Sequence, residues 1–387
     1  MRINGFLLFL TTFLGMVLLT SIFYPLRYIR YILPIVPLLF FASAGKLRIE
    51  RQTMSYFSTF LLFYFVVVFY LLVQNLIFHS ISERFFPNAV FVLAPLLFTT
   101  LALPFFRLEM AEKYVKLILV VNILVFFLEE GRDVLYVISN VSAIKGAIIS
   151  SELSTENHLA FVFGFLLIYF VMEKYSLWYK LIVLVFFLLC FKRIVLAAIL
   201  VCIPAYWIIN YFKWNVGKYR QLLVWIGVGV NLLYIKITQL LVSGQFDQVI
   251  KQYTGISSDQ FLMGRKTFFS EAFDKAGGMN LWGLGLGKID DIIFRFYGAR
   301  MNLHSEILKN YFEFGLPLFL VWIFLIYSKN LFSNKSAILL LYLNILLLTD
   351  NVFIYFDIMF YFYFFILIYL KEKNATPNPL NHEVGST

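Results

Sequence analysis

Charged side chains and cysteines are what this sequence has least of. Of its 387 residues, 14% are charged, against 61% hydrophobic and 20% aromatic. Soluble domains carry roughly 25% charged residues. A water-solvated fold is therefore excluded, and lipid must be the solvent for most of the surface. The two cysteines, Cys190 and Cys202, both lie in apolar runs. They exclude a disulfide framework, and with no C-x-x-C spacing they argue against structural zinc. No metal site and no cofactor are expected. The net charge of +10 comes with no nucleic-acid motif. On a membrane protein such charge reports which loops face the cytoplasm and which lipid head groups they meet.

What is abundant is long apolar sequence. Runs fall near 3–24, 28–45, 54–78, 88–106, 114–128, 157–172, 177–191, 194–212, 222–242, 314–328, 336–349 and 352–370. A spanning helix needs roughly 20 apolar residues, so the pattern predicts an all-α polytopic membrane protein of about 12 transmembrane helices. The first run exceeds the roughly 7–15 residue core of a signal peptide and has no A-x-A site, so it reads as a retained span. With the N-terminus inside, the connections at 46–52, 107–116, 173–180, 213–220 and 328–335 fall inside and are basic. The tail 371–387 is expected to be cytoplasmic. The loop 129–156 falls outside and is acidic, with Glu129, Glu130, Asp133, Glu152 and Glu156 against Arg132 and Lys145. Arg27 and Arg30 run against the pattern. The expected division is helices 1–9 over 1–242, a large outer loop over 243–313, and helices 10–12 over 314–370.

Three outer features are not simple loops. Segment 243–313 is longer than the roughly 12–15 residues of a plain connection. Recurrent Phe, Leu, Ile, Trp and Tyr predict a small helical cap there. Lys192 and Arg193 interrupt an apolar stretch at the expected outer tip of a tight hairpin. A base held at such a place is functional by default, the bland alternative being snorkelling to head groups. The third feature is "NLHSEILKNYFEFGL", 302–316. A helix starting after Asn302 gathers His304 with Ile307, Leu308, Tyr311 and Gly315 on one face. Glu306, Lys309, Asn310 and Glu313 then form a solvated face. The positive helix end favours neutral imidazole, the form a general base needs. The bland alternative is a satisfied interfacial histidine. Upstream, Arg265 opens an expected amphipathic helix and offers the two-pronged donor that suits phosphate. Gly283, Gly285 and Gly287 lack the strand and the Lys-Ser/Thr of a phosphate loop, so they read as a flexible turn.

In order and spacing these residues resemble the O-antigen polymerase and ligase superfamily of bacterial inner membranes. The family pattern is a G-R near the start of the large periplasmic loop, a G-x-G segment, then H-[NS]-x-x-L followed by Gly and a new span. Here stand Gly264-Arg265, Gly283 to Gly287, and His304-Ser305 with Leu308 and Gly315. Lys192-Arg193 takes the place of the family's mid-chain S-R-G, without its Ser or Gly. The likeness covers about 190–330. It implies a GT-C-like fold with a large periplasmic helical loop and a metal-independent glycosyltransferase acting at the periplasmic face. The substrate implied is an undecaprenyl-pyrophosphate-linked oligosaccharide, and a chain-length regulator is an expected partner beside membrane lipid. His304, Arg265 and Arg193 are the implied catalytic residues. Lys192, Lys266, Arg300 and His158 are candidates for substrate contact. Polymerase is preferred over ligase, whose acceptor is lipid A–core. A transporter or flippase is the reading from another class; it would need matching halves and polar spans, which the chain lacks.

Overall fold

The computed structural model describes residues 5–23, 51–78, 81–139, 158–190, 192–262, 264–276, 281–298 and 302–375. The expected span over 28–45, Arg27 and Arg30, loop residues 140–157, Arg300 and the tail beyond 375 lie outside the described residues. The described residues are helical, with no strand among them. In chain order the first helices are α1 (Gly5–Ile22), α2 (Arg51–Phe78), α3 (Phe85–Ala102), α4 (Ala111–Ser139), α5 (Leu159–Met172), α6 (Leu177–Leu189), α7 (Arg193–Tyr211) and α8 (Arg220–Val242). Five short helices follow: α9 (Asp247–Thr254), α10 (Ser258–Phe261), α11 (Lys266–Ala276), α12 (Lys288–Tyr297) and α13 (Glu306–Phe314). The last are α14 (Leu316–Asn330), α15 (Asn334–Thr349) and α16 (Phe356–Ala375).

Helices therefore stand at every predicted apolar run that falls among the described residues. Five of them, α1, α2, α3, α7 and α8, are long and apolar enough to cross a membrane. Four others, α5, α6, α14 and α15, are apolar but have 17 residues or fewer. One boundary differs from expectation. Helix α4 runs through Glu129, Glu130 and Asp133, which the sequence places in the acidic loop. Its 29 residues extend about 43 Å at roughly 1.5 Å each, beyond a hydrocarbon core of about 30 Å. Helix α4 thus has the length to carry these acids clear of the lipid.

The chain divides into two compact units. The first comprises described residues within Met1–Phe57, Phe98–Phe191 and Phe360–Thr387. Helix α5 is apolar on all sides and buried on nearly all of them, as a helix at the centre of a bundle must be. Its Phe165 and Tyr169 pack on Phe365, with Tyr169 and Phe365 ring centres 4.7 Å apart. In this layer, aromatic rings stand where soluble cores place aliphatic side chains.

The second unit comprises Ser58–Leu97 and Lys192–Met359. Here α7 packs on α15 and α8 on α14, while α11, α12 and α13 form a cluster beside α8 and α15. Polar contacts gather in two sets. In one, Arg220 donates to the Ser328 carbonyl, Asn334 bridges Trp214 O and Val216 N, and Lys329 reaches Thr59. In the other, residues 74–88 bond to 282–290, Lys192 to Asp350, and Arg265 to Thr349. The first set includes the 213–220 and 328–335 connections, expected inside, and the second includes Lys192 and residues of 243–313, expected outside.

Candidate functional site

The second set of contacts centres on a three-residue turn. Helix α15 ends at Thr349, and Asp350 leaves it in extended conformation. The freed carbonyls at a helix C-terminus carry partial negative charge and attract cations. Arg265 Nη1 donates to the Thr349 carbonyl at 3.3 Å. Lys192 Nζ donates to Asp350 Oδ2 at 2.5 Å, and both side chains are largely buried, 14% and 6% exposed. Lys192 is also the N-cap residue of α7, so its ammonium sits beside the positive end of that helix. The Asp350 carboxylate offsets this concentration of positive charge. It also accepts the backbone N–H of Asn351 at 2.8 Å.

His304 completes the arrangement. Its backbone N–H donates to Asn351 Oδ1 at 2.6 Å, and its Nδ1 stands 3.9 Å from Asp350 Oδ1. At that separation the imidazole and carboxylate are neighbours without a direct hydrogen bond. His304 has a φ of +58°, in the left-handed region that β-carbon sterics disfavour. Its side chain is 37% exposed. A strained, half-open histidine beside a buried ion pair is a pattern met at working sites.

The local folding differs from the sequence expectation. Helix α13 starts at Glu306, and its N-cap is Ser305, whose hydroxyl accepts the Leu308 N–H at 3.3 Å. Asn302 does not cap it, and His304 precedes the helix instead of riding on its apolar face. Nor are Glu306, Lys309, Asn310 and Glu313 solvated: every residue of α13 is buried. Lys309, Glu306 and Glu313 meet polar partners in place of water, while Asn310 Nδ2 is buried without one among the described residues. Lys309 Nζ binds Asp290 of α12 at 3.0 and 3.2 Å. Glu306 Oε2 accepts the Phe353 N–H at 3.2 Å, and Glu313 Oε1 accepts the Gly287 N–H at 2.9 Å. Asn88 steadies Asp290 from the other side at 3.0 Å. Burial pushes the Glu306 carboxyl up to about 7 and Glu313 up to about 8, with Lys309 pulling both back. Burial works against the Lys309 ammonium too, but attraction to Asp290, Glu313 and Glu306 outweighs it, and its pKa rises.

The glycine segment is also more constrained than a flexible turn. Gly283, Gly285 and Gly287 all have positive φ. A Cβ on Gly283 would lie 2.4 Å from the Glu313 carbonyl oxygen, and one on Gly315 would lie 2.5 Å from Gly283 N. Backbone thus packs on backbone, and Leu284 and Gly285 N–H groups bond the Phe312 and Glu313 carbonyls at 2.8 and 3.1 Å. Helix α13 ties this turn, at its C-terminal end, to the 350–353 turn at its N-terminal end.

The remaining expected residues divide. Arg193, the first residue of α7, is exposed beside Lys192, and among the described residues its side chain makes no hydrogen bond or ion pair. Lys266 points elsewhere and pairs with Asp247 of α9 at 2.8 Å. His158 precedes α5 in the first unit. Asp350 and Asn351 are the residues that sequence reasoning missed. Their signal was an acid and an amide at the tip between the last two apolar runs, on the side already assigned to Lys192 and His304. No family model, no curated protein and no solved structure matches this chain.

Proposed function

We propose that this protein is a membrane glycosyltransferase of the O-antigen polymerase type. Its substrate would be a glycan carried on a polyprenyl pyrophosphate, undecaprenyl in the family it resembles. The observation that carries the reading is the meeting of Lys192, Arg265 and His304 on the turn at Thr349–Asn351. These three come from separate stretches of sequence: Arg265 and His304 stand in motifs of the superfamily that the chain resembles, and Lys192 adjoins Arg193, which takes the place of its mid-chain arginine. Exposed Arg193 and the Arg265 guanidinium would hold the donor pyrophosphate, with Lys192 behind them. Arg265 Nη1 donates to a backbone carbonyl at 3.3 Å, a bond it could exchange for a charge-assisted one to a phosphate oxygen.

The chemistry is a single displacement at the anomeric carbon. The acceptor hydroxyl oxygen forms the new bond to that carbon, and the bond to the pyrophosphate oxygen breaks. The hydroxyl proton passes to the His304 imidazole, and the polyprenyl pyrophosphate leaves with the bonding pair. The guanidinium and ammonium groups offset the charge that develops on the leaving oxygen. The fold in this reading is GT-C-like with about 12 spans, set in the bacterial inner membrane with the site facing the periplasm.

The test is the lipopolysaccharide ladder of a deletion strain complemented with variants. Deletion should leave core bearing one repeat. Bare core would instead assign the ligase reaction to the same site. Complementation with His304→Ala, Arg265→Ala or Arg193→Ala should restore the protein to the membrane without restoring the ladder. Lys266→Ala should be milder, since its ammonium is held by Asp247. Wild-type ladders from all three of the first variants would overturn the mechanism.

A further inference from the structure

The glycine turn holds two apolar side chains out of the protein. Leu281 is 48% exposed and Trp282 73%. Their backbone is not free to retract them. Gln74 Nε2 donates to the carbonyls of Trp282 and Gly283 at 3.0 and 2.8 Å. Gly315 approaches so closely that a Cβ there would lie 2.7 Å from both Leu281 O and Trp282 C. A buried amide and a backbone-to-backbone contact therefore fix a bare indole in place, at a cost in apolar exposure that water does not offset.

The surroundings say what covers it. Gln74 lies near the C-terminal end of α2, one of the helices long and apolar enough to cross a membrane. The outward face of α2 is a stripe of exposed Leu62, Phe65, Phe69, Leu76 and Ile77, at helical spacing. A face of that kind on a spanning helix meets lipid. Gln74 holds Leu281 and Trp282 at the same end of α2, the end where Leu76 and Ile77 are 63% and 66% exposed. Tryptophan is enriched at the boundary between acyl chains and head groups, where the ring is buried and its N–H stays wet. Among the described residues the Trp282 indole N–H donates to no protein acceptor.

We infer that Leu281 and Trp282 are a bilayer anchor: the indole inserts at the head-group boundary and holds the glycine turn, and with it α13, at the membrane surface. The partner is the lipid bilayer itself, not a glycan or a second copy of the chain. This inference rests on the membrane character of the helices and not on the proposed reaction.

The full-length protein in nanodiscs tests it. Trp282→Phe subtracts the emission of one indole out of six. The difference spectrum should be blue-shifted, and lipids brominated on the acyl carbons near the head group should quench most of it. Trp282→Cys carrying a nitroxide supplies a second measurement, with relaxation by oxygen expected to exceed relaxation by a water-soluble nickel chelate. A red-shifted difference spectrum quenched by iodide and not by bromolipid would overturn the inference. So would an indole protected from both reagents, which would place another protein surface on it. Loss of iodide quenching only when glycan is added would overturn it in favour of a sugar contact.

Discussion

His304 is where conformation and chemistry can be separated. Its left-handed backbone costs a residue with a β-carbon on the order of 1–2 kcal/mol, and glycine almost nothing. His304→Ala keeps that strain and loses the imidazole. His304→Gly loses both. We expect the glycine variant to unfold at a temperature about 1–2 °C higher than the alanine variant, as about 1 kcal/mol would produce in a chain of 387 residues. Neither should extend glycan chains. Thermal unfolding in detergent checks the first statement and the ladder checks the second. Equal melting temperatures would mean that the φ of +58° is not imposed by the surrounding turn. The same residue shows what sequence can reveal at this scale. His304 stands out as one of four histidines, beside a serine and before a leucine and a glycine. Asp350 does not, because a lone acid between two apolar runs looks like any polar turn until Lys192 is seen to bind it.

At the scale of elements, α13 is the instructive case. Its polar residues recur with helical period, and periodicity alone assigns such a stripe to water. Period cannot tell water from a polar partner, however, and here Asp290, Gly287 N–H and Phe353 N–H supply the partners. The positions of the apolar helices are legible in the hydropathy, but their lengths are not, since four of them fall short of a roughly 20-residue span. Nor is the fate of α13, because the packing of α12 and the glycine turn sets it. Two predictions follow from this packing. Glu313 holds its proton to about 8 when folded, against 4.5 ordinarily. Between those values the unfolded chain has released a proton that the folded chain keeps, so stability falls as pH rises from about 4.5 to about 8. Glu313→Gln retains an acceptor for Gly287 N–H and removes the titration. Its melting curve should flatten over that window and lie roughly 2 °C or more above wild type at the alkaline end. The second concerns the close approach of Gly283 to the Glu313 carbonyl. Gly283→Ala combines a steric clash with left-handed strain and should cost roughly 3 kcal/mol. Gly255→Ala has the same sign of φ but open space around it, and should cost only about 1 kcal/mol. Denaturation of the two variants side by side distinguishes clash from strain.

At the scale of the whole molecule, the question is which way the chain faces. Within the second unit, hydrogen bonds join 213–220 to 328–335, and Lys329 to Thr59. A separate set joins 74–88, 192, 265–290 and 349–351. Counting spans and lysines in the sequence puts 213–220 and 328–335 on one side and Lys192 and 243–313 on the other, with no knowledge of which loops touch. An error of one span between residues 58 and 359 would have mixed the groups, and none of these bonds does so. These contacts agree with the expected alternation over this part of the chain, and the positive-inside bias would then put the basic 213–220 and 328–335 connections inside and the His304 turn outside. Cysteine labelling decides this. Both native cysteines are buried, so background reaction is low. Tyr253, 81% exposed in α9, and Lys218, exposed in the opposite set, are suitable positions. In intact spheroplasts, a membrane-impermeant maleimide should modify Tyr253→Cys and leave Lys218→Cys unreacted until the membrane is opened. The reverse pattern would turn the protein over and remove the His304 turn from the face that the proposed reaction requires. Equal reaction at both positions in sealed spheroplasts would break the two-sided arrangement itself.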